Sequence, residues 1–179
     1  MTAPRSRLTR EDWLAAGLAA LCETGPGGLG AEPLARRVGA TKGSFYWHFT
    51  DVPAYSAALL ALWRAAAEAA LEPDTDGPAA ARLRACAQAI AAPEAAPALN
   101  AEQAIRAWAA TDTQATRIVT ATDARRLDHL AALLADCGIA NPDMARIILG
   151  AAIGMQALGE ANANRDAIGS LVDLILALR

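Results

Sequence analysis

The chain is poor in the residues that mark several protein classes. Its three cysteines, Cys22, Cys86 and Cys137, lie far apart, with no CxxC and no Cys/His cluster. That pattern argues against a disulfide framework and against zinc, so the cysteines read as small buried hydrophobes and no metal site is expected. Aromatic residues make up only 4% of the 179 residues. β-Branched residues are sparse beside alanine and leucine, a balance that favours helix over sheet. The longest stretch without a charge, Ile147 to Gly159, has 13 residues. A membrane-spanning helix needs ~20. The segment MTAPRSRLTRED has no apolar core of a secretory signal, so a cytoplasmic protein is the expectation. No HExxH, GxSxG or GxxxxGK[ST] occurs, and His48 and His129 stand at no catalytic spacing from a carboxylate or cysteine. Neither an enzyme nor a cofactor is expected. Lysine is nearly missing; Lys42 is the only one.

What is present belongs to a folding chain: 54% hydrophobic and 20% charged residues. The net charge of −3 is unevenly spread. Residues 1–50 carry six Lys/Arg against four Asp/Glu, and residues 51–179 carry ten against fifteen. The N-terminal end is the one suited to a polyanion. The nine residues TKGSFYWHF, 41–49, concentrate this further. They hold four of the eight aromatics, both phenylalanines and the lone lysine.

Local signals place that stretch. Thr9 and Asp12 have capping-box spacing, Leu8 and Trp13 have staple spacing, and Leu14, Leu18 and Leu21 share a face, so a helix starts near Thr9. Gly25-Pro26 ends it. Residues 25–30, GPGGLG, match GxGxxG in form only. A dinucleotide loop needs a preceding strand, and here a helix precedes it, so the segment reads as a loop. A short helix over Ala31–Val38 follows, closed by Gly39, and Thr41 can cap the next. Two short helices joined by a glycine turn have the form of a helix-turn-helix. At ~100° per residue, Phe45 and Phe49 fall on one side of the second helix, and Gly43 and Trp47 on the other. Tyr46, His48 and Lys42 supply donors for phosphate oxygens, and Gly43 allows close approach to base edges. The alternative is an aromatic helix buried under a second domain.

The run Leu34-Ala35-Arg36-Arg37-Val38-Gly39-Ala40-Thr41-Lys42-Gly43-Ser44-Phe45-Tyr46-Trp47-His48-Phe49 resembles the signature of the TetR family of transcriptional regulators, with similarity over about residues 8–65. The resemblance implies an all-α homodimer of about nine helices per chain. A three-helix DNA-binding domain, 1–50, would precede a helical effector-binding and dimerisation domain, 51–179. It implies that Thr41, Lys42, Gly43, Ser44, Tyr46, Trp47 and His48 meet double-stranded operator DNA, while Phe45 and Phe49 hold the recognition helix on its core. It implies a repressor released when a small-molecule effector binds the second domain. Three positions depart from the family pattern. Val52 stands where a lysine or arginine is frequent, Gly30 replaces a hydroxyl N-cap, and Pro33 lies in the first turn of the second helix. Those departures motivate the other reading, a helical dimeric interaction protein with weakened or lost DNA binding.

The second domain reads as further helices. One runs from Asp51 to about Leu71, with Pro53 in its first turn, and one from Pro78 to about Ala92. Another lies around Trp108 with Asn100 and Gln103 at its start, and a long one runs from Asp112 to Gly138. The next starts at Asn141-Pro142-Asp143 and runs to about Ala161, and the last is capped by Asn164. Effector-pocket candidates by position are Trp63, Cys86, Trp108, His129 and Met155, which favours an apolar or aromatic effector. Core filling is the competing use of the tryptophans, Met155 and Cys86, and a solvated helix face that of His129. The segment IILGAAIG, 147–154, is apolar all round, as a core helix or an interface would be. The family's dimers pair their last two helices, which implies interface roles for Gly150, Ile153, Gly154, Leu171, Ile175 and Leu178.

Overall fold

A computed structural model describes residues 8–73, 75–93 and 97–178. Among these residues there are nine α-helices and no strands. They are α1 (Arg10–Thr24), α2 (Ala31–Val38), α3 (Lys42–Tyr46), α4 (Val52–Ala69), α5 (Ala79–Ala91), α6 (Glu102–Ala109), α7 (Thr113–Asp136), α8 (Pro142–Gln156) and α9 (Ala161–Ala177). Two 3-10 turns, Pro26–Leu29 and Pro97–Ala101, precede α2 and α6. GPGGLG is thus a turn between helices, without a strand to aim it at a phosphate. No described helix is long and apolar enough to cross a membrane.

The chain divides into two compact units, Met1–Leu62 and Trp63–Arg179. The sequence boundary at 50/51 is therefore displaced into α4. The cause is local: Tyr55 and Leu59 of α4 are fully buried, and both lie within the first unit. In that unit Trp13 packs edge-on to Phe45, ring centroids 5.5 Å apart, and Phe45 also meets Tyr55 at 5.2 Å. The Tyr55 hydroxyl donates to the Trp13 carbonyl at 2.7 Å. Burial pushes the Tyr55 phenol well above its usual range.

The helices begin where short polar side chains take up free N–H groups. Thr9 Oγ1 accepts from the Asp12 amide at 3.2 Å, and Asp12 Oδ2 accepts from the Thr9 amide at 2.8 Å. Asp51, Asp112 and Asn141 cap α4, α7 and α8 in the same manner. Asn164 does not cap α9. It lies inside the first turn, buried, and its Nδ2 donates to the Met155 carbonyl at 2.8 Å. The carbonyls released where α8 ends compete for that amide, and Glu160 takes the cap position with φ 56°. Asn100 lies in the 3-10 turn and Ala101 caps α6 by position, so neither Asn100 nor Gln103 caps it. Gln103 instead donates from Nε2 to the Ile153 carbonyl at 2.8 Å. Helix α8 stops at Gln156, short of Ala161, because the chain turns through Gly159 at φ 74°.

The core of the second unit is α5 packed among α7, α8 and α9, with Leu83, Ile90, Leu130, Ile148, Ile168 and Val172 almost fully buried. The α5–α9 pair is drawn together where Gly169 has no side chain. The Arg84 guanidinium lies over it, and Nη1 donates to the Gly169 carbonyl at 3.0 Å.

Candidate nucleic-acid interface

Helices α2 and α3 form the helix-turn-helix. Gly39 closes α2 in the left-handed region, φ 66° and ψ 34°, where a side chain would be strained. The Ala40 amide then donates to the Ala35 carbonyl at 2.9 Å. Two residues later the chain re-enters a helix. Thr41, in extended backbone, accepts from the Ser44 amide through Oγ1 at 3.2 Å. Helix α3 is five residues long and ends at Tyr46, so Trp47 and His48 lie in the turn that follows it rather than on the helix. The Phe49 amide still reaches the Phe45 carbonyl at 3.1 Å, which keeps both phenylalanines on one side. Phe45 is fully buried and Phe49 nearly so, with centroids 5.3 Å apart.

The opposite side is left outside. Thr41, Lys42 and Gly43 are exposed, Tyr46 is 47% exposed and Trp47 80% exposed. Ser44 and His48 are half-buried, and the His48 ring lies 6.5 Å from that of Trp13. Two large aromatics thus stand in water beside Lys42, which forms no salt bridge among the described residues. The arginines of α2 are paired. Arg36 meets Glu32 at 3.2 Å, and Arg37 grips Glu23 through two bonds, one of them 2.8 Å. The Arg37 hydrogen bonds hold the Glu23 carboxyl below its ordinary value. One cation is not evident from the sequence pattern. Arg10, the first residue of α1, sits with its guanidinium 5.1 Å from the Phe49 ring centroid. Its link to Phe49 spans most of the unit's sequence, so no local pattern could reveal it.

The effector candidates differ in exposure. Trp63 and Cys86 are fully buried, and Trp108 is 6% exposed. Burial pushes the Cys86 thiol up to about 12. Met155 packs against the core of the second unit. His129 is half-buried and lines two recesses of about 220 and 250 Å³ beside Glu72. A larger cleft of about 590 Å³, which shares Pro73 and Thr75 with the first of these recesses, touches none of the five. Ala66 and Ala69 of α4, Ala85 and Ala89 of α5, and Ala92 just after α5 line it, together with Leu99, Gln88, Thr75 and Arg165. Space is left where side chains are small, so a cavity is lined by alanines that a search for large residues passes over.

Trp63 is occupied by a buried ionic cluster, which the sequence does not announce. Glu102 of α6, fully buried, accepts from Trp63 Nε1 at 3.1 Å. It also accepts from Arg126 Nη1 and Nη2 at 2.9 and 3.0 Å, and from Arg106 Nε at 2.7 Å. Asp123 pairs with Arg106 through two bonds of 2.8 and 2.6 Å. Two guanidinium groups meet two carboxylates, so the cluster is neutral and offers no net charge to a ligand. No group of three or more His, Cys, Asp or Glu among the described residues could hold a metal ion.

The expected interface residues divide. Gly150 and Gly154 of α8 are exposed with open space at their Cα atoms, Ile153 and Leu171 are half-buried, and Leu178 is 78% exposed. Ile175 is different: it is 7% exposed because it packs into its own unit's core. The neighbouring Leu174, 58% exposed, and Ile147, 47% exposed, present the free surface instead.

No protein-family model and no curated protein matches the chain. Solved structures do. A transcriptional regulator from Rhodococcus sp. Rha1 is 23% identical, with TM-score 0.76 over 95% of this chain and 97% of that one. A TetR-family transcriptional regulator from Rhodococcus sp. is 19% identical, with TM-score 0.77 over 93% and 98%. A TetR-like transcriptional regulator from Rhodococcus sp. RHA1 is 17% identical, with TM-score 0.69 over 99% and 100%. The likeness covers both units and nearly the full length of each relative, and the chain has the fold of the TetR-type regulators.

Proposed function

We propose that this chain is a DNA-binding transcriptional regulator, a homodimeric repressor that holds a palindromic operator and lets go when a small molecule binds its second unit. One observation carries the reading. Helix α3 and the turn after it bury both phenylalanines and leave Tyr46, Trp47 and Lys42 outside. Exposed aromatics of that size are unfavourable in water and suit a surface that a partner covers. A duplex offers phosphate oxygens to Lys42, Thr41, Tyr46 and His48, and base edges to Ser44 and Trp47, with Gly43 admitting close contact. Arg10 adds a further phosphate contact. A palindromic site requires two-fold symmetry. The apolar stripe on α8, with Ile147, Gly150 and Gly154 exposed at helical spacing and Leu158 exposed in the turn that follows, supports the two-fold contact.

The test is fluorescence anisotropy of the purified protein with the intergenic DNA beside its own gene, titrated with salt against scrambled DNA of equal length. Specific binding that weakens steeply with salt is the expected result. A folded dimer without specific binding, on this or any selected DNA, would favour the interaction protein, with Gly30 and Val52 as the missing contacts.

A further inference from the structure

A regulator released by a small molecule needs a site for it, and the alanine-lined cleft of the second unit supplies both a site and a chemistry. Resting on that proposed function, we propose that the effector occupies this cleft and is an uncharged, flat, largely apolar molecule carrying one hydrogen-bond donor. The volume of about 590 Å³ is the size small-molecule sites have, and the recesses at His129 are smaller. The walls decide the class. Alanines of α4 and α5, with Leu99, Pro73 and Pro93, line much of them, a largely apolar lining that suits a flat ring system.

The polar groups set the rest. Gln88 is half-buried, and its Nε2 donates to the Arg165 carbonyl at 3.1 Å. A Cβ built on Gly169 would meet that same nitrogen at 3.0 Å, so the amide nitrogen is turned to α9. The amide oxygen is left to accept, and what it accepts is a donor on the ligand. Arg165 also lines the cleft and takes part in an interaction of its own, and the charge contrast between the two probes below tests whether it draws an anion as well.

The position also suits a signal. Ala66 lies three residues after Trp63, and Leu99 three residues before Glu102, and both line the cleft. Trp63 and Glu102 are the hydrogen-bonded pair that fastens α4 to α6. A ligand between Ala66 and Leu99 acts within a turn of that fastening, on a helix continuous with the first unit.

The experiment uses the whole chain and no DNA. N-phenyl-1-naphthylamine is flat, uncharged, carries one N–H and fluoresces in apolar surroundings. Its anionic relative, 1-anilinonaphthalene-8-sulfonate, shares the ring system. The first should bind saturably and more tightly than the second. Ala89→Trp and Ala69→Phe fill the cleft from α5 and from α4, and each should weaken the uncharged probe by about tenfold or more, with unchanged circular dichroism. Gln88→Leu should weaken it about fivefold, the loss of one hydrogen bond. Equal affinity in the wild type and both filling variants overturns the site. Tighter binding of the sulfonate overturns the ligand class, and that comparison needs no variant to fold. Probe binding by a protein that ignores operator DNA would keep the cleft and remove the regulator, so the two readings fail separately.

Discussion

Gly17 lies inside α1, where glycine costs about 1 kcal/mol against alanine, and Tyr55 is the reason it is there. A Cβ on Gly17 would stand 1.8 Å from the Tyr55 hydroxyl oxygen and 2.8 Å from its Cζ. The ring cannot retreat, because its hydroxyl is bound to the Trp13 carbonyl. Gly17→Ala should destabilise the protein by about 1–3 kcal/mol, read as a lower midpoint in thermal or urea melts. Tyr55→Phe should cost about 1 kcal/mol alone, and the two changes together should cost less than their sum. Additive losses would mean that the two residues do not share the space. Gly30 has a similar local logic. A Cβ there would meet Pro33 Cδ at 3.2 Å, so the glycine cap and the proline after it belong together. At this scale the sequence is legible where partners are near. Phe45 and Phe49, four apart, fall on one buried side, as helical spacing requires. Gly17 and Tyr55 are 38 residues apart, and no periodicity links them.

Helices are legible by their ends. Thr9, Thr41, Asp51, Asp112 and Asn141 each cap the helix that follows, because a short side chain with an acceptor satisfies N–H groups two or three residues on, a wholly local event. Asn164 carries the same chemistry and is claimed by the distant Met155 carbonyl. The proposed recognition helix, α3, gives the test at this scale. Lys42→Ala should lower the salt slope of operator binding by about 1 per lost phosphate contact, about 2 per dimer. An unchanged slope removes Lys42 from the contacts. The buried cluster that joins α6 to α7 gives another. Arg126→Met leaves Glu102 and Asp123 to share Arg106 alone, a stranded negative charge in a buried cluster, and should cost about 3–5 kcal/mol in a urea melt. Adding Glu102→Leu should return much of that, since a neutral apolar pair replaces the ionic one. If the double variant is as unstable as the single, the stranded charge is not the cause.

At the scale of the whole molecule, legibility depends on whether large residues or small ones mark the feature. The proposed recognition surface is made of conspicuous residues in one run, and the run alone displays it. The cleft is made of alanines on helices whose register only the fold defines, and no stretch of sequence displays that. The proposed dimer face falls between. Its stripe on α8 repeats at 147, 150 and 154, which a helical pattern reveals, yet α9 holds Ile175 inward and Leu174 outward, a choice set by packing on α5. That choice can be tested directly. Leu174 and Leu178 are 58% and 78% exposed, so glutamate at both adds charge where the single chain meets only water. Surface changes of this kind usually move stability by no more than about 0.5 kcal/mol, and the monomer should keep its fold. In an interface core the same charges would be buried without partners, which costs far more than the surface change. Sedimentation of Leu174→Glu with Leu178→Glu should therefore show a folded monomer where the wild type shows a dimer. Operator affinity should fall with it, because each half-site is then bound alone. A variant that still sediments as a dimer would place the two-fold contact on some other face. The α8 stripe would then be a surface without a partner, and a palindromic operator would lose its structural argument.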